Sequence, residues 1–244
     1  MDASRAMPIW KLIARGDDGR KVMSDVSRDE PRYVYQMLRW QYAKQIFETG
    51  ILRLRPVRAW QDPFEKWWCD KLFNGPGPLA GIQAYGSCWT TGAYDEPRWR
   101  MAGFGNNTPI VRIRTRMSVM LNAAGHLIDN NAGSLFLGLV LYRGEDYLRK
   151  LAQSVGSQKQ VTRVAATMLL HKRYQFKFED EVRLLWLDKQ PPGEWVFIKV
   201  DPNTLIDQVM ITPHATDAER QMIEDEFKSI GVPCKSSLIL REPR

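Results

Sequence analysis

Glu179 and Glu181 stand two apart in Phe178-Glu179-Asp180-Glu181-Val182-Arg183, at the head of a stretch, EVRLLWL, that turns apolar at once. Alternate residues of a strand point to one face, so both carboxylates would sit side by side at the edge of a core. Two like charges so placed lift at least one pKa unless a cation or a substrate offsets them, a cost that acid–base sites tolerate. The same residues also read as a polar strand end paired with Arg183. A second group is Gly86-Ser87-Cys88-Trp89-Thr90-Thr91, where Ser87 and Trp89 share one strand face and Cys88 and Thr90 the other. It either offers a hydroxyl to a cleft or marks an ordinary strand. Arg53 and Arg55 in ILRLRPVR, and Arg112, Arg114 and Arg116 in IVRIRTRM, alternate with apolar residues, so each set forms a guanidinium row. Such rows suit the phosphates of a dinucleotide or a nucleic acid, or else a solvated outer sheet face. Tyr33, Tyr35, Trp60, Phe64, Trp67, Trp68, Trp89 and Trp99 crowd the same half of the chain, as core or as the walls of a site for a flat, charged heterocycle.

The elements that must position these residues are those of a chain of 244 residues with 44% apolar content and nine Trp, enough to bury a core as one domain or two small coupled ones. Its net charge of +7 lies wholly in residues 1–120, which hold 19 basic and 12 acidic residues, whereas 121–244 hold 16 of each. The P-loop, dinucleotide-binding, nucleophile-elbow and HExxH signatures are missing, which lowers the common hydrolase and kinase classes. Cys69, Cys88 and Cys234 are too few for a disulfide framework, and with three His they never reach metal-ligand spacing, so no metal is expected. No apolar run approaches the roughly 20 residues of a membrane helix. The N-terminus has no secretory pattern, which gives a reduced, cytoplasmic protein without a membrane partner.

Along the chain, PIWKLIARGDDGRKVM reads as two short strands around an Asp-Gly turn, an extension over 1–30 ahead of a single domain over 31–244. RYVYQML is β-rich, and a helix over 40–49 ends on Gly50. ILRLRPV is a strand, Asp62-Pro63 opens a short helix, and the Gly-Pro stretch after it closes a folded loop. Strands are predicted over 85–91, 110–116, 181–187, 196–200, 208–212 and 235–240, with LFLGLVLYRG as a further buried strand that periodicity alone does not separate from a helix. EDYLRKLAQSV is helical, a helix over 158–172 has Ser157 as N-cap, and TDAERQMIEDEFKSIG opens on a Thr216/Glu219 capping box. Short connections between many strands favour a mixed α+β fold over a doubly wound one.

The ordered motifs Tyr33-x-Tyr35, Gly50-Ile51-Leu52-Arg53-Leu54, Gln61-Asp62-Pro63-Phe64-Glu65, Ser87-Cys88-Trp89-Thr90, Trp99 and Glu179-Asp180-Glu181-Val182-Arg183 resemble a bacterial domain-of-unknown-function family over roughly residues 33–240. That family is in turn similar to divergent ADP-ribosyltransferases. The resemblance implies an α+β fold in which two small mixed or antiparallel sheets with flanking helices form a cleft for NAD. It also implies an enzyme that releases nicotinamide and passes ADP-ribose to a protein, RNA or DNA acceptor, acting as a toxin, effector or defence enzyme with a possible cognate inhibitor. Glu181 takes the place of the late-strand Glu beside the ribose, and Glu179 the preceding acidic position. Ser87 and Thr90 supply strand hydroxyls, Tyr33, Tyr35 and Trp99 the nicotinamide pocket, and Arg53 the pyrophosphate contact. Val34 and Met101 depart from the family pattern, which has His or Lys at the first position and Tyr at the second. An NAD glycohydrolase on the same site, or a non-catalytic nucleic-acid or protein-binding module that uses the Arg rows, are the alternatives.

Overall fold

The computed structural model describes residues 33–93, 96–103, 108–125, 133–153, 161–189, 193–237 and 239–240, together with the backbone of two strands at 11–15 and 21–23. Elements follow in chain order as β1 (Lys11–Arg15), β2 (Lys21–Met23), β3 (Tyr33–Arg39), α1 (Trp40–Thr49), β4 (Ile51–Pro56), α2 (Pro63–Trp68), β5 (Gln83–Thr90) and α3 (Glu96–Gly103). Next come β6 (Ile110–Arg116), α4 (Met117–Ala124), β7 (Ser134–Leu139), β8 (Leu141–Arg143), α5 (Glu145–Gln153), α6 (Val161–Leu169) and β9 (His171–Arg173). A 3-10 segment, Tyr174–Glu179, leads into β10 (Glu181–Asp188), β11 (Val196–Lys199), α7 (Pro202–Leu205), β12 (Gln208–Ile211), α8 (Asp217–Ser229) and β13 (Cys234–Ser236). The class is mixed α+β, as the many short-linked strands imply.

Contacts divide the chain into two compact units that are each discontinuous in sequence. One comprises Met1–Glu30, Arg53–Cys88 and Ala124–Ile198, the other Pro31–Leu52, Trp89–Ala123 and Lys199–Arg244. In the first unit β2, β1, β7, β10, β5 and β4 are successive neighbours. The β1/β2 hairpin pairs Ile13 with Met23, and β1 in turn pairs antiparallel with β7, so these strands belong to the sheet; the turn between them lies outside the described residues. Leu185 and Leu187 of β10, Phe136 of β7 and Ala84 of β5 meet Trp68, Phe73, Leu148, Ala165, Met168 and Leu169 in one core. The expected folded loop after Asp62 therefore contributes to the core itself. Asp62 caps α2 by accepting from the Phe64 N–H at 2.9 Å, with Pro63 at the first helical position where its missing N–H costs nothing.

In the second unit β13, β12, β6 and β3 are neighbours, with Tyr33 opposite Arg116, Tyr35 opposite Arg114 and Met37 opposite Arg112. Period two gives this sheet an apolar face, with Val34, Val111, Ile113, Val209 and Ile211 all buried, against the polar face that carries the tyrosines and arginines. Helix α1 stops where Gly50 takes a left-handed conformation (φ 62°), and the Thr216/Glu219 capping box opens α8 as expected.

Three expectations are corrected. The helix over 158–172 ends at Leu169, because residues 171–173 pair in parallel with β8, His171 opposite Leu141. Apolar spacing in ATMLLHKR cannot register that partner strand, and residues 157–160 lie outside the described residues. The last strand is Cys234–Ser236, with 239–240 in a turn. Helices α3 and α4 were not foreseen, since each is a short segment between Gly- and Asn-rich stretches that give no clear period.

Candidate functional site

The first unit gathers five ionisable side chains at the head of β10. Residues 181, 183, 185 and 187 share a strand face, and its far end is the apolar core, so the charges at its near end lie on a continuation of buried surface. Arg183 is only 1% exposed. Its Nε donates to Glu181 Oε2 at 2.6 Å, its Nη1 donates to the Leu169 carbonyl at 2.6 Å, and its Nη2 pairs with both Glu181 and Glu65. The guanidinium carbon lies 4.5 Å from the centre of the Trp60 ring. Gly86 makes this stacking possible, because a Cβ there would stand 2.7 Å from the Trp60 ring and 3.0 Å from Leu185.

Lys172, with 7% of its side chain exposed, reaches the cluster from β9. Its Nζ donates to Glu179 Oε2 at 2.5 Å and to Glu181 Oε1 at 3.2 Å. The two glutamates meet by a route that strand alternation does not describe. Glu179 closes the 3-10 segment, and Asp180 then turns through a left-handed conformation (φ 46°, ψ 52°) before Glu181 opens β10. The Glu181 N–H donates to the Tyr142 hydroxyl at 2.9 Å, which anchors the start of the strand.

Three carboxyls, Glu65, Glu179 and Glu181, thus face two cations, Lys172 and Arg183. The excess carboxyl resolves itself through protonation. Burial alone would raise Glu181, but the Arg183 guanidinium, the hydrogen bond with Glu179 and the Lys172 ammonium bring it down to about 2. Glu179 is pushed up to about 7, by burial first and then by the hydrogen bond and negative charge of Glu181, against the pull of Lys172. Burial likewise raises Glu65. Near neutrality the pair therefore holds one anion and one carboxyl able to take or give a proton, an arrangement suited to general acid–base work. Among the described residues no group of His, Cys, Asp and Glu is placed to hold a metal ion.

The polar face of the second unit is built differently. Arg112, 2% exposed, lies 4.7 Å from the Tyr35 ring centre and 5.9 Å from that of Trp99, and its Nη2 is 3.4 Å from Gln208 Oε1. Arg114 stacks on Tyr33 at 4.4 Å and donates to Asp207 Oδ1 at 2.6 Å. Arg116, exposed, donates to the Tyr33 hydroxyl at 3.2 Å. The guanidinium row read from the sequence is thus a gradient from buried to exposed, since the aromatic rings of β3 and α3 cover its inner end.

The site residues read from the sequence are distributed over both units. Glu179 and Glu181 come together in the first unit, around Lys172. Arg53 is exposed on β4. Ser87 is buried, and alternation points it to the opposite face of β5 from Gly86 and Cys88. Cys88 is the residue of this strand that senses the cluster: burial first, then the charge of Glu181, pushes its thiol up to about 12. Tyr33, Tyr35, Thr90 and Trp99 belong to the second unit, where the two tyrosines stack with arginines, Trp99 is buried, and the Thr90 hydroxyl accepts from the Gly92 N–H at 3.1 Å. Val34 is fully buried in the apolar face, and Met101 is exposed.

Sequence reasoning missed Lys172 and Glu65 as members of the site, and read Trp60 only as one of a crowd of aromatics. Lys172 stood inside an apparent helix, and Glu65 served only as part of an Asp-Pro-Phe-Glu motif. The available signal was Arg183, a cation in an otherwise apolar strand that demands carboxylate partners. No protein-family model, curated protein or solved structure matches the chain. No described helix is long and apolar enough to cross a membrane.

Proposed function

We propose that Glu179 and Glu181 form the acid–base centre of an enzyme that breaks the bond between nicotinamide and ribose in NAD and transfers ADP-ribose to a protein or nucleic-acid acceptor. On this reading the fold is ADP-ribosyltransferase-like. The supporting observation is the pair of carboxyls bridged by one ammonium, with Lys172 Nζ 2.5 Å from Glu179 and 3.2 Å from Glu181. Departure of nicotinamide builds positive charge on the ribose. The Glu181 carboxylate offsets that charge, and Glu179 accepts the proton of the attacking hydroxyl or amine, work of roughly 10²–10⁴-fold for a positioned base. With water as acceptor the same chemistry gives a glycohydrolase.

A second reading has its own support: Arg183, almost wholly buried, clasps both Glu181 and Glu65, as a structural ion cluster would. Incubation with NAD, with and without cell extract, separates the two by release of free nicotinamide. The wild-type chain should release it, and folded Glu181→Gln should lose at least 10²-fold in rate, because the amide keeps size but not charge. Folded Glu179→Gln should still hydrolyse NAD slowly while failing to modify its acceptor. No release by the wild type, or an unchanged rate in Glu181→Gln, overturns the enzyme reading in favour of the structural one.

A further inference from the structure

Lys172 has no place in the motifs that suggested a site, yet it is the only described ammonium that touches both carboxyls of the pair. Its position is over-determined. Parallel pairing with Tyr142 of β8 fixes its backbone, and the Phe176 ring lies 4.8 Å from Nζ. Its side chain is nearly closed off from solvent, so its charge is weakly screened. The groups around it come from several elements: Glu65 from α2, Glu179 from the 3-10 segment, Glu181 and Arg183 from β10, and Tyr142 from β8.

Within this set the two cations have different duties. Arg183 is committed to Glu181 and Glu65 through Nε and Nη2, and its Nη1 is spent on the Leu169 carbonyl. Lys172 is a cation that reaches Glu179 as well as Glu181. We propose that Lys172 is the positioning residue of the pair, its ammonium bridging Glu179 to Glu181 so that Glu179 is held in place to exchange a proton beside the Glu181 carboxylate. The role rests on the acid–base reading of this pair, although the bridge itself is a property of ionisation and is measurable without turnover. Burial of Lys172 works against its charge, but Glu181 and Glu65 outweigh that cost and hold its pKa above the usual lysine value, so the bridge persists through the titration of Glu179. Without the ammonium, Glu179 keeps the Glu181 anion but loses the cation that offsets it, and its proton becomes harder to remove.

The test follows the Glu179 carboxyl by ¹³C NMR across pH in the wild type, Lys172→Met and Lys172→Arg, each first shown to be folded by circular dichroism. Lys172→Met should move the Glu179 titration upward by at least one pH unit, and Lys172→Arg should bring it back toward the wild-type midpoint. If activity on NAD is present, the acidic limb of kcat/KM should move with it in the same direction. Should Lys172→Met not fold, the ¹⁵Nζ resonance of Lys172 in the wild type should step at the Glu179 midpoint, and that step should vanish in Glu179→Gln. An unchanged Glu179 midpoint in folded Lys172→Met, or no step in the Nζ resonance, overturns the proposal. Proper titration without any NAD cleavage sinks the enzymatic reading and leaves the Lys172 bridge standing.

Discussion

Arg183 in the first unit and Arg112 in the second are nearly the same object in different company. Each is on a strand, each is all but excluded from solvent, and each lies across an aromatic ring, Trp60 at 4.5 Å and Tyr35 at 4.7 Å. Around Arg183 the neighbours are carboxylates, and the carboxyls outnumber the cations. Around Arg112 they include Gln208 and Met210, and the next arginines along β6 lead outward to Asp207 and to solvent. A buried cluster with an excess of acid must share a proton, so its charge state follows pH. A face that grades into solvent keeps its charges, so its interactions follow ionic strength.

The largest expected effect comes from removing the cation that the acidic cluster surrounds. Arg183→Met leaves Glu181 and Glu65 buried with Lys172 as remaining cation and should cost about 3–5 kcal/mol in urea unfolding. Arg114→Leu, which breaks a half-exposed pair with Asp207, should cost no more than about 1 kcal/mol. Equal losses at the two positions would erase the distinction between a buried network and a surface one.

Next in size is the pH response of the cluster. The folded-state pKa of Glu179, about 7, is above its ordinary 4.5, so its contribution to stability is complete below 4.5 and is lost as pH rises through 7. Glu181 runs the other way: its value of about 2 makes its contribution complete above 4.5 and lost only as pH falls toward 2. His171, whose pKa burial lowers from 6.5 while its Nδ1 donates to the Thr167 carbonyl, contributes stability above 6.5 that is lost on acidification. Glu179→Gln should therefore remove a fall in stability on the order of 2–3 kcal/mol between pH 4.5 and 7. Glu65, which burial also raises, keeps a fall of its own in that variant, so urea midpoints should decline less steeply from pH 4.5 to 7 than in the wild type. A wild-type profile that rises from pH 4.5 to 7 and is unaltered by the substitution would contradict the assignment of the shared proton.

These contrasts mark how far the residues could be read before the fold was known. Period two placed β4 and β6, and apolar runs placed β10 and β12; alternation also separated Val111 and Ile113 from Arg112 and Arg114, because it is written into adjacent positions. It could not show that Arg112 is buried and Arg116 exposed, since that depends on Tyr35 and Trp99 arriving from other parts of the chain. The glutamate pair was legible, although for the wrong local reason: the left-handed turn at Asp180, and not a continuous strand, brings Glu179 beside Glu181. Lys172 and Glu65 were not legible as partners. They lie 9 and 116 positions from Glu181 in the chain, and only the pairing of β9 with β8 and the capped start of α2 carry them to it.

The smallest effect tests the outward half of the comparison. If the polar face of β6 binds a polyanion, Arg116, exposed and held by the Tyr33 hydroxyl at 3.2 Å and the Tyr33 ring at 5.4 Å, is the side chain placed to turn toward phosphate, whereas Arg112 is committed to the interior. Arg116→Ala should leave unfolding within about 0.5 kcal/mol of the wild type, as expected for an exposed substitution. In a titration of single-stranded DNA or RNA at rising salt it should lower the slope of log affinity against log salt by about one phosphate contact, near 0.7 for a single strand. The Asp207 carboxylate sets the control: Asp207→Asn frees Arg114 and should strengthen low-salt binding and steepen that slope. A wild-type chain without salt-dependent binding would assign the tyrosine–arginine face to packing within its own unit.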